Sequence, residues 1–86
     1  MECIHWLATI DDTPAVVVRI DEVLGSGSIR HVEVVFDRDT HEVMCGSVCT
    51  GRRPWQAYRS HEMSERYASY VTAARAYLAK MVTHYV

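Results

Sequence analysis

The strongest secondary-structure signal in the chain lies in residues 60–85, which read SHEMSERYASYVTAARAYLAKMVTHY. Apolar and aromatic side chains recur in this segment every three or four residues, the spacing of one face of an α-helix. The segment predicts one long amphipathic helix over about residues 61–84, with Ser60 as N-cap and Glu62 in the first turn, where the helix dipole favours an acid. The predicted apolar face comprises Met63, Tyr67, Tyr70, Val71, Ala74, Tyr77, Leu78, Met81, Val82 and Tyr85.

The part of the chain before this helix has the two-residue period of β-strands. The alternation predicts strands at about residues 2–10, 15–24, 29–36 and 42–50, followed by a loop over residues 51–59. Between the last two strands we expect a tight hairpin, in which Asp37 accepts hydrogen bonds from the turn backbone and His41 adopts a left-handed conformation. The predicted fold class is therefore α+β: a four-stranded antiparallel β-meander followed by one long C-terminal helix packed on one face (β-β-β-β-α), as a single domain of residues 1–86.

The alternation also predicts which side chains face the helix. If Phe36 pairs with Val43 across the hairpin, then Cys45, Ser47 and Cys49 join Val43 on the inner face. The opposite face then holds Leu7, Val17, Val35, Met44 and Val48. Because this face is less polar than a solvated one normally is, two explanations stay open. Valine favours strands on any face, or the face mediates self-association into a homodimer or contact with another partner.

The predicted helix is longer than the strands that it covers. A helix of about 25 residues is ~37 Å long, whereas a strand of eight residues spans ~27 Å. We therefore expect the last turns to extend beyond the sheet and to expose Leu78, Met81, Val82 and Tyr85, a kind of surface that often marks a contact site.

Length and composition limit the classes of function. The chain has 86 residues with a formal net charge of −2, so a deep cleft between domains and a whole-protein attraction to nucleic acid are both disfavoured. The residues near the start do not resemble a signal peptide, and no apolar run reaches the length of a membrane span. The three cysteines are an odd number. These features predict a protein of the cytoplasm, of the producing or of a host cell, without membrane contact.

The residues that could carry chemistry do not form a convincing site. Cys45 and Cys49 with His41 have the composition of a metal cluster, but residues four apart on a strand lie ~13 Å apart, too far to share one zinc ion. Buried structural thiols are the simpler interpretation. Cys3 and His5 lie two residues apart on one strand face, which is a weak sign of a nucleophile with its base. We therefore predict no catalytic residues, no metal and no cofactor, and a protein that is not an enzyme.

The loop after the fourth strand has the most distinctive composition. It holds Arg52, Arg53, Trp55, Tyr58 and Arg59 within eight residues of a mildly acidic chain. Three interpretations stay open. Trp55 plugs one end of the core, or the group is a protein-binding hot spot, for which arginine, tryptophan and tyrosine are typical, or it stacks bases and neutralises phosphates.

The pattern favours a binding role over catalysis. We expect a non-catalytic protein-interaction module, a small regulator or inhibitor that docks onto a larger protein complex. Compact proteins without catalytic motifs include phage-encoded anti-defence inhibitors such as anti-CRISPR proteins, and a viral protein of that kind is one expectation. The alternative is a small nucleic-acid-binding domain that uses the loop at residues 52–59.

Overall fold

A computed structural model describes residues 1–84, and its side chains up to Met81. Five antiparallel strands form one sheet in the order β1-β2-β3-β4-β5. The strands are β1 (Glu2–Ile10), β2 (Thr13–Val23), β3 (Ile29–Asp37), β4 (Val43–Thr50) and β5 (Gln56–Arg59), and the helices are α1 (Ser60–Arg66) and α2 (Ala68–His84). The α+β class is confirmed. The predictions of four strands and one helix are corrected to five strands and two helices.

The first four strands lie close to their predicted positions, and the hairpin between β3 and β4 has the expected geometry. Asp37 Oδ1 accepts hydrogen bonds from the backbone N–H groups of Asp39 (2.8 Å) and Thr40 (3.1 Å). His41 has a φ of 59°, which confirms the left-handed residue. The fifth strand lies in the segment that we predicted to be a loop, where it pairs with β4 from Cys45↔Arg59 to Val48↔Gln56.

The predicted single helix is interrupted at Tyr67, which has φ −124° and ψ 36°. Apolar side chains keep their spacing through this break, so the pattern contains no sign of it. The helix also begins one residue early, because the N-cap is Arg59 and not Ser60. Glu62 lies in the first turn as predicted, and its Oε1 accepts a hydrogen bond from the backbone N–H of Arg59 at 3.2 Å.

Both helices cover the same face of the sheet and bury the predicted stripe. Met63, Tyr70, Val71, Ala74 and Leu78 pack on side chains of β2, β3 and β4 in one core cluster. The prediction that Leu78 extends beyond the sheet is wrong, because Leu78 is buried. Val82 and Tyr85 lie outside the described side chains.

Tyr70 fastens α2 to the sheet through its hydroxyl group. The hydroxyl donates a hydrogen bond to Glu22 Oε1 (2.7 Å) on β2 and accepts one from Arg30 Nη1 (3.2 Å) on β3. Burial raises the pKa of Tyr70 above its ordinary value, and the hydrogen bond to Glu22 adds to the effect. The helix position is therefore fixed by polar contacts as well as by packing.

A β-bulge reverses the faces of β4. Phe36 pairs with Val43 as expected, but Val35 pairs with Cys45, so Met44 is the extra residue. Because an extra residue shifts the two-residue period by one, Gly46 and Val48 face the helices. The predicted inner positions of Cys45, Ser47 and Cys49 are wrong, since all three lie on the opposite face, which we call the uncovered face.

The faces of β1 also differ from the prediction. Leu7 pairs with Val16 and Cys3 pairs with Ile20, so Leu7 lies on the helix side with Cys3 and His5. Of the five residues predicted on the uncovered face, Leu7 and Val48 are therefore misplaced. Val17, Val35 and Met44 do lie there and pack together with Ala15 in a second apolar cluster. Valine and isoleucine occur on both sides of these strands, so alternation alone does not indicate which side of each strand faces the helices.

Among residues 1–84, no helix is long and apolar enough to cross a membrane.

Candidate functional site

A short, well-fastened loop connects β4 to β5 and positions Trp55. Gly51 has a φ of 59°, a conformation that glycine adopts readily, and its N–H donates to the carbonyl oxygen of Ile29 at 2.9 Å. The buried thiol of Cys49 donates to the carbonyl oxygen of Arg53 at 3.1 Å. These contacts tie the loop to the sheet immediately before Trp55, so the indole has a defined position.

Trp55 lies over the uncovered face of the sheet. Its ring stacks on His31 with a centroid separation of 6.1 Å and an interplanar angle of 29°. The guanidinium carbon of Arg19 lies 5.8 Å from the centre of the Trp55 ring, within the range of a cation–π contact. Trp55 remains 44% exposed and does not plug the core, so the first of the three interpretations of the loop is wrong.

The support beneath Trp55 is a hydrogen-bonded network on β2 and β3. Asp21 Oδ1 accepts a hydrogen bond from Arg19 Nε at 3.1 Å and lies 2.6 Å from His31 Nδ1. A carboxylate oxygen only accepts hydrogen bonds, so the second contact requires a proton on Nδ1. The approach of Arg19 Nη2 to His31 Nδ1 at 3.0 Å is then a close contact and not a second hydrogen bond. We call Trp55, Arg19, Asp21 and His31 the Trp55 platform.

The surroundings of Asp21 make its carboxylate form favourable. The hydrogen bond from His31, followed by that from Arg19, lowers the pKa of Asp21 below its ordinary value of 3.8. Glu33 lies on the other side of Arg19, with Oε2 4.0 Å from Nη1. The platform therefore carries its cationic and anionic groups in contact with one another, and its net charge is small.

Replacing Asp21 should change how the free energy of unfolding depends on pH under acidic conditions. A lowered folded-state pKa contributes stability that is complete above the ordinary pKa of 3.8 and is lost as pH falls through the folded value. Asp21→Asn should therefore be less stable than wild type at neutral pH, and the difference should shrink below pH ~4. Urea unfolding of wild type and Asp21→Asn at a series of pH values measures this difference in the free energy of unfolding. A difference that stays constant down to the lowest pH would contradict the contact between Asp21 and His31.

The five predicted binding residues do not form one surface. Arg52 and Arg53 are exposed in the loop beside Trp55. Arg59 pairs with Cys45 and so belongs to the uncovered face. Tyr58 pairs with Gly46, which places it on the helix side. Arg53 lines a groove on the helix side together with Tyr58, whereas Trp55 and Arg59 lie on the uncovered face, at opposite ends of β5.

Tyr58 has a structural environment of its own. Its ring meets Tyr67 edge-on at a centroid separation of 5.3 Å, and Arg66 lies 5.9 Å from its centre. Its hydroxyl donates to Gln56 Oε1 at 2.8 Å. Tyr58 therefore packs β5 against the helices and is unavailable to a ligand that stacks on Trp55.

Groups with catalytic chemistry are engaged in structural contacts. His5 Nδ1 lies 2.7 Å from the Tyr77 hydroxyl, and burial raises the pKa of the Cys3 thiol, which reduces its thiolate fraction. On the uncovered face Cys49 pairs with His31, but Cys49 is buried and its thiol is bonded to the loop. Across the described part of the chain, no three His, Cys, Asp or Glu side chains form a group that could hold a metal ion.

The network that supports Trp55 is not predicted from the sequence. Asp21 follows Arg19 by two residues on β2 and pairs with His31 on β3, so all three share a side of the sheet. Opposite charges at adjacent same-face positions were the available signal. Their connection to Trp55 depends on the path of the β4–β5 loop, which no local pattern specifies.

The chain matches no family model, and no curated protein or solved structure shows significant similarity to it.

Proposed function

We propose that this chain is a non-catalytic protein-interaction module, a small regulator or inhibitor that docks onto a larger protein through the Trp55 platform. The observation that carries the proposal is a half-exposed tryptophan held over an arginine, a histidine and a carboxylate on the uncovered face. Tryptophan and arginine dominate the energetics of protein interfaces. A phage-encoded inhibitor of a defence complex would be one protein of this type.

The rigidity of the platform supports a binding role. Immobilising a flexible side chain at an interface costs about 0.5–1.5 kcal/mol. Trp55 already contacts Arg19 and His31 in the free protein, so part of this cost is met before binding. A pre-organised aromatic group with one open side is well suited to fill an apolar pocket of a partner.

The charges beside the platform favour a particular partner chemistry. Within residues 1–84, the ion pairs involve Arg19 and His31 with Asp21 and Glu33, and none involves Arg52 or Arg53. These two exposed arginines lie beside Trp55 in the sequence. The complementary surface is a protein pocket that accepts the indole and carries acidic side chains on its rim.

Two features make this partner preferable to a nucleic acid. Arg19 lies within ion-pair distance of both Asp21 and Glu33, so its charge is neutralised and the platform offers no free cation to a phosphate. A single-stranded nucleic acid stacks successive bases on neighbouring aromatic rings, but Tyr58 lies on the opposite face from Trp55. The arginines alone provide a small cationic patch on a chain of net charge −2.

Salt dependence tests the proposal. Tagged wild-type chain captures the partner, and titration calorimetry of the purified pair is repeated between ~50 mM and ~200 mM salt. A protein complex with a few rim charges should weaken less than about tenfold, whereas a nucleic-acid complex with six or more phosphate contacts should weaken by about 10³-fold or more.

The matched variants for this titration are an Arg52→Ala/Arg53→Ala double substitution, which should reduce the salt dependence, and Lys80→Ala on the exposed side of α2, which should not. A steep salt dependence together with displacement of the partner by single-stranded DNA would contradict a protein partner.

A further inference from the structure

Strand β1 leaves one complete edge of the sheet open. Within residues 1–84 it is the outermost of the five strands and pairs only with β2, over all nine positions from Glu2↔Asp21 to Ile10↔Thr13. In an antiparallel strand at an edge, alternate residues direct their N–H and C=O groups away from the sheet. The edge therefore presents a ready template for another strand along about 30 Å.

This edge lacks the features by which proteins prevent strand pairing. Edges are usually protected by short length, lysine, proline or a bulge. The other edge, β5, has four residues, ends at Arg59 and is preceded by Pro54. By contrast, residues 3–10 of β1 contain no charged residue and no proline, and the β1–β2 register is uninterrupted.

Strand β1 carries three of the seven large apolar side chains that are exposed in the described part of the chain. Ile4 is 58% exposed, Trp6 38% and Leu7 64%. Ile4 and Trp6 lie on the uncovered face. Leu7 lies on the helix side, where it lines a shallow groove with Leu78 and Met81 and with the polar side chains of His5, Arg38 and His41. Apolar surface thus flanks the open edge on both faces of the sheet, as in a strand that is normally paired.

We propose that β1 pairs antiparallel with β1 of a second copy, which joins two sheets into one continuous sheet of ten strands. The register that pairs all nine residues places Trp6, the central residue, opposite Trp6 of the second copy. It sets Ile4 opposite Ala8 and His5 opposite Leu7. The single charged residue, Glu2, falls opposite Ile10, so no like charges meet.

The self-complementary pattern favours a second copy over a foreign strand. A two-fold axis through the Trp6 pair preserves the faces of the sheet, so both sets of helices cover one side. On the other side, the row that contains Val35, Val17 and Trp6 continues into the same row of the second copy. The Trp55 platform lies on β2 and β3 of the uncovered face and contains no residue of β1, so this proposal is independent of the proposed function.

The test combines sedimentation velocity with a charge exchange at Trp6. The wild-type chain should show a reversible monomer–dimer equilibrium at micromolar concentration, because the interface is narrow. Trp6→Lys and Trp6→Glu place like charges opposite each other, and each should weaken self-association at least about tenfold. A 1:1 mixture of the two variants should dimerise again, because only this register brings residue 6 against itself.

Trp55→Lys is the matched control and should keep the dimer. A wild-type chain that stays monomeric at every concentration overturns the proposal. The proposal is also overturned if the Trp6 variants fold and remain dimeric, or if they fold and do not associate when mixed. Loss of the dimer in Trp55→Lys would overturn it as well.

Hydrogen exchange of the wild-type protein provides a test without substitution. Amide protection in β1 should rise with protein concentration while that of β5 stays constant, and no change in β1 would overturn the proposal.

Discussion

Trp55→Ala should weaken binding of the protein partner at least about thirtyfold, because removal of a central hot-spot residue costs about 2 kcal/mol or more. The free energy of unfolding should change by less than about 1 kcal/mol, since the indole is half exposed and contributes a surface cation–π contact of about 0.5–1 kcal/mol. Titration calorimetry and urea unfolding of the same preparations measure the two quantities.

Leu7→Ala is the control for this substitution. Leu7 is a more exposed apolar residue than Trp55, but it lies on the helix side at the β1 edge. Its truncation should leave the partner affinity unchanged. If Trp55→Ala keeps full affinity, or if it destabilises the fold by several kcal/mol, then Trp55 is a structural residue and the proposed docking surface is wrong.

Gly46→Ala should destabilise the fold by about 1–3 kcal/mol, which corresponds to a decrease in Tm of about 5–20 °C. A Cβ atom at Gly46 would lie 2.6 Å from Sδ and Cε of Met63, well inside van der Waals contact. Met63 is fully buried beneath α1, so it has little room to move. Backbone propensity alone would make alanine more stable than glycine in a strand. A loss of stability in Gly46→Ala would therefore show that the overlap with Met63 outweighs propensity.

Gly25→Ala is the matched control, because no heavy atom lies within 4 Å of its added Cβ. It should change stability by less than about 0.5 kcal/mol. Adding Met63→Ala to Gly46→Ala should cost less than the sum of the two single changes, because the shortened side chain relieves the overlap. Wild-type stability for Gly46→Ala would show that α1 does not pack closely on β4.

Much of this fold could be predicted from the sequence because the side-chain periods are long and regular. The boundaries of β1 match the prediction, and the helical stripe from Met63 to Leu78 is buried as expected. The errors occur where a single residue changes which face the following side chains occupy or interrupts an element. Met44 inserts a bulge that reverses β4, and Tyr67 interrupts the helix without disturbing the apolar spacing. Strand β5 has only four residues, too few for alternation to be visible.

The candidate site was predictable only in part, for a related reason. Composition draws attention to Arg52, Arg53 and Trp55, which share the β4–β5 loop. The assignment of Tyr58 to the same surface failed because alternate residues of a strand face opposite sides, and β5 had not been recognised as a strand. The roles of Arg19, Asp21 and His31 depend on contacts between β2, β3 and the β4–β5 loop, which are distant in sequence.

The measurement that tests the central claim most directly is a ¹H–¹⁵N NMR titration of the chain with its captured protein partner. The chain has two tryptophans, and a Trp6→Phe variant assigns the two indole N–H signals. We expect the Trp55 indole signal and the amide signals of residues 19, 31, 52, 53 and 55 to shift on binding, while the amide signals on the exposed side of α2 do not. An unchanged Trp55 indole, with shifts confined to α2, would contradict it.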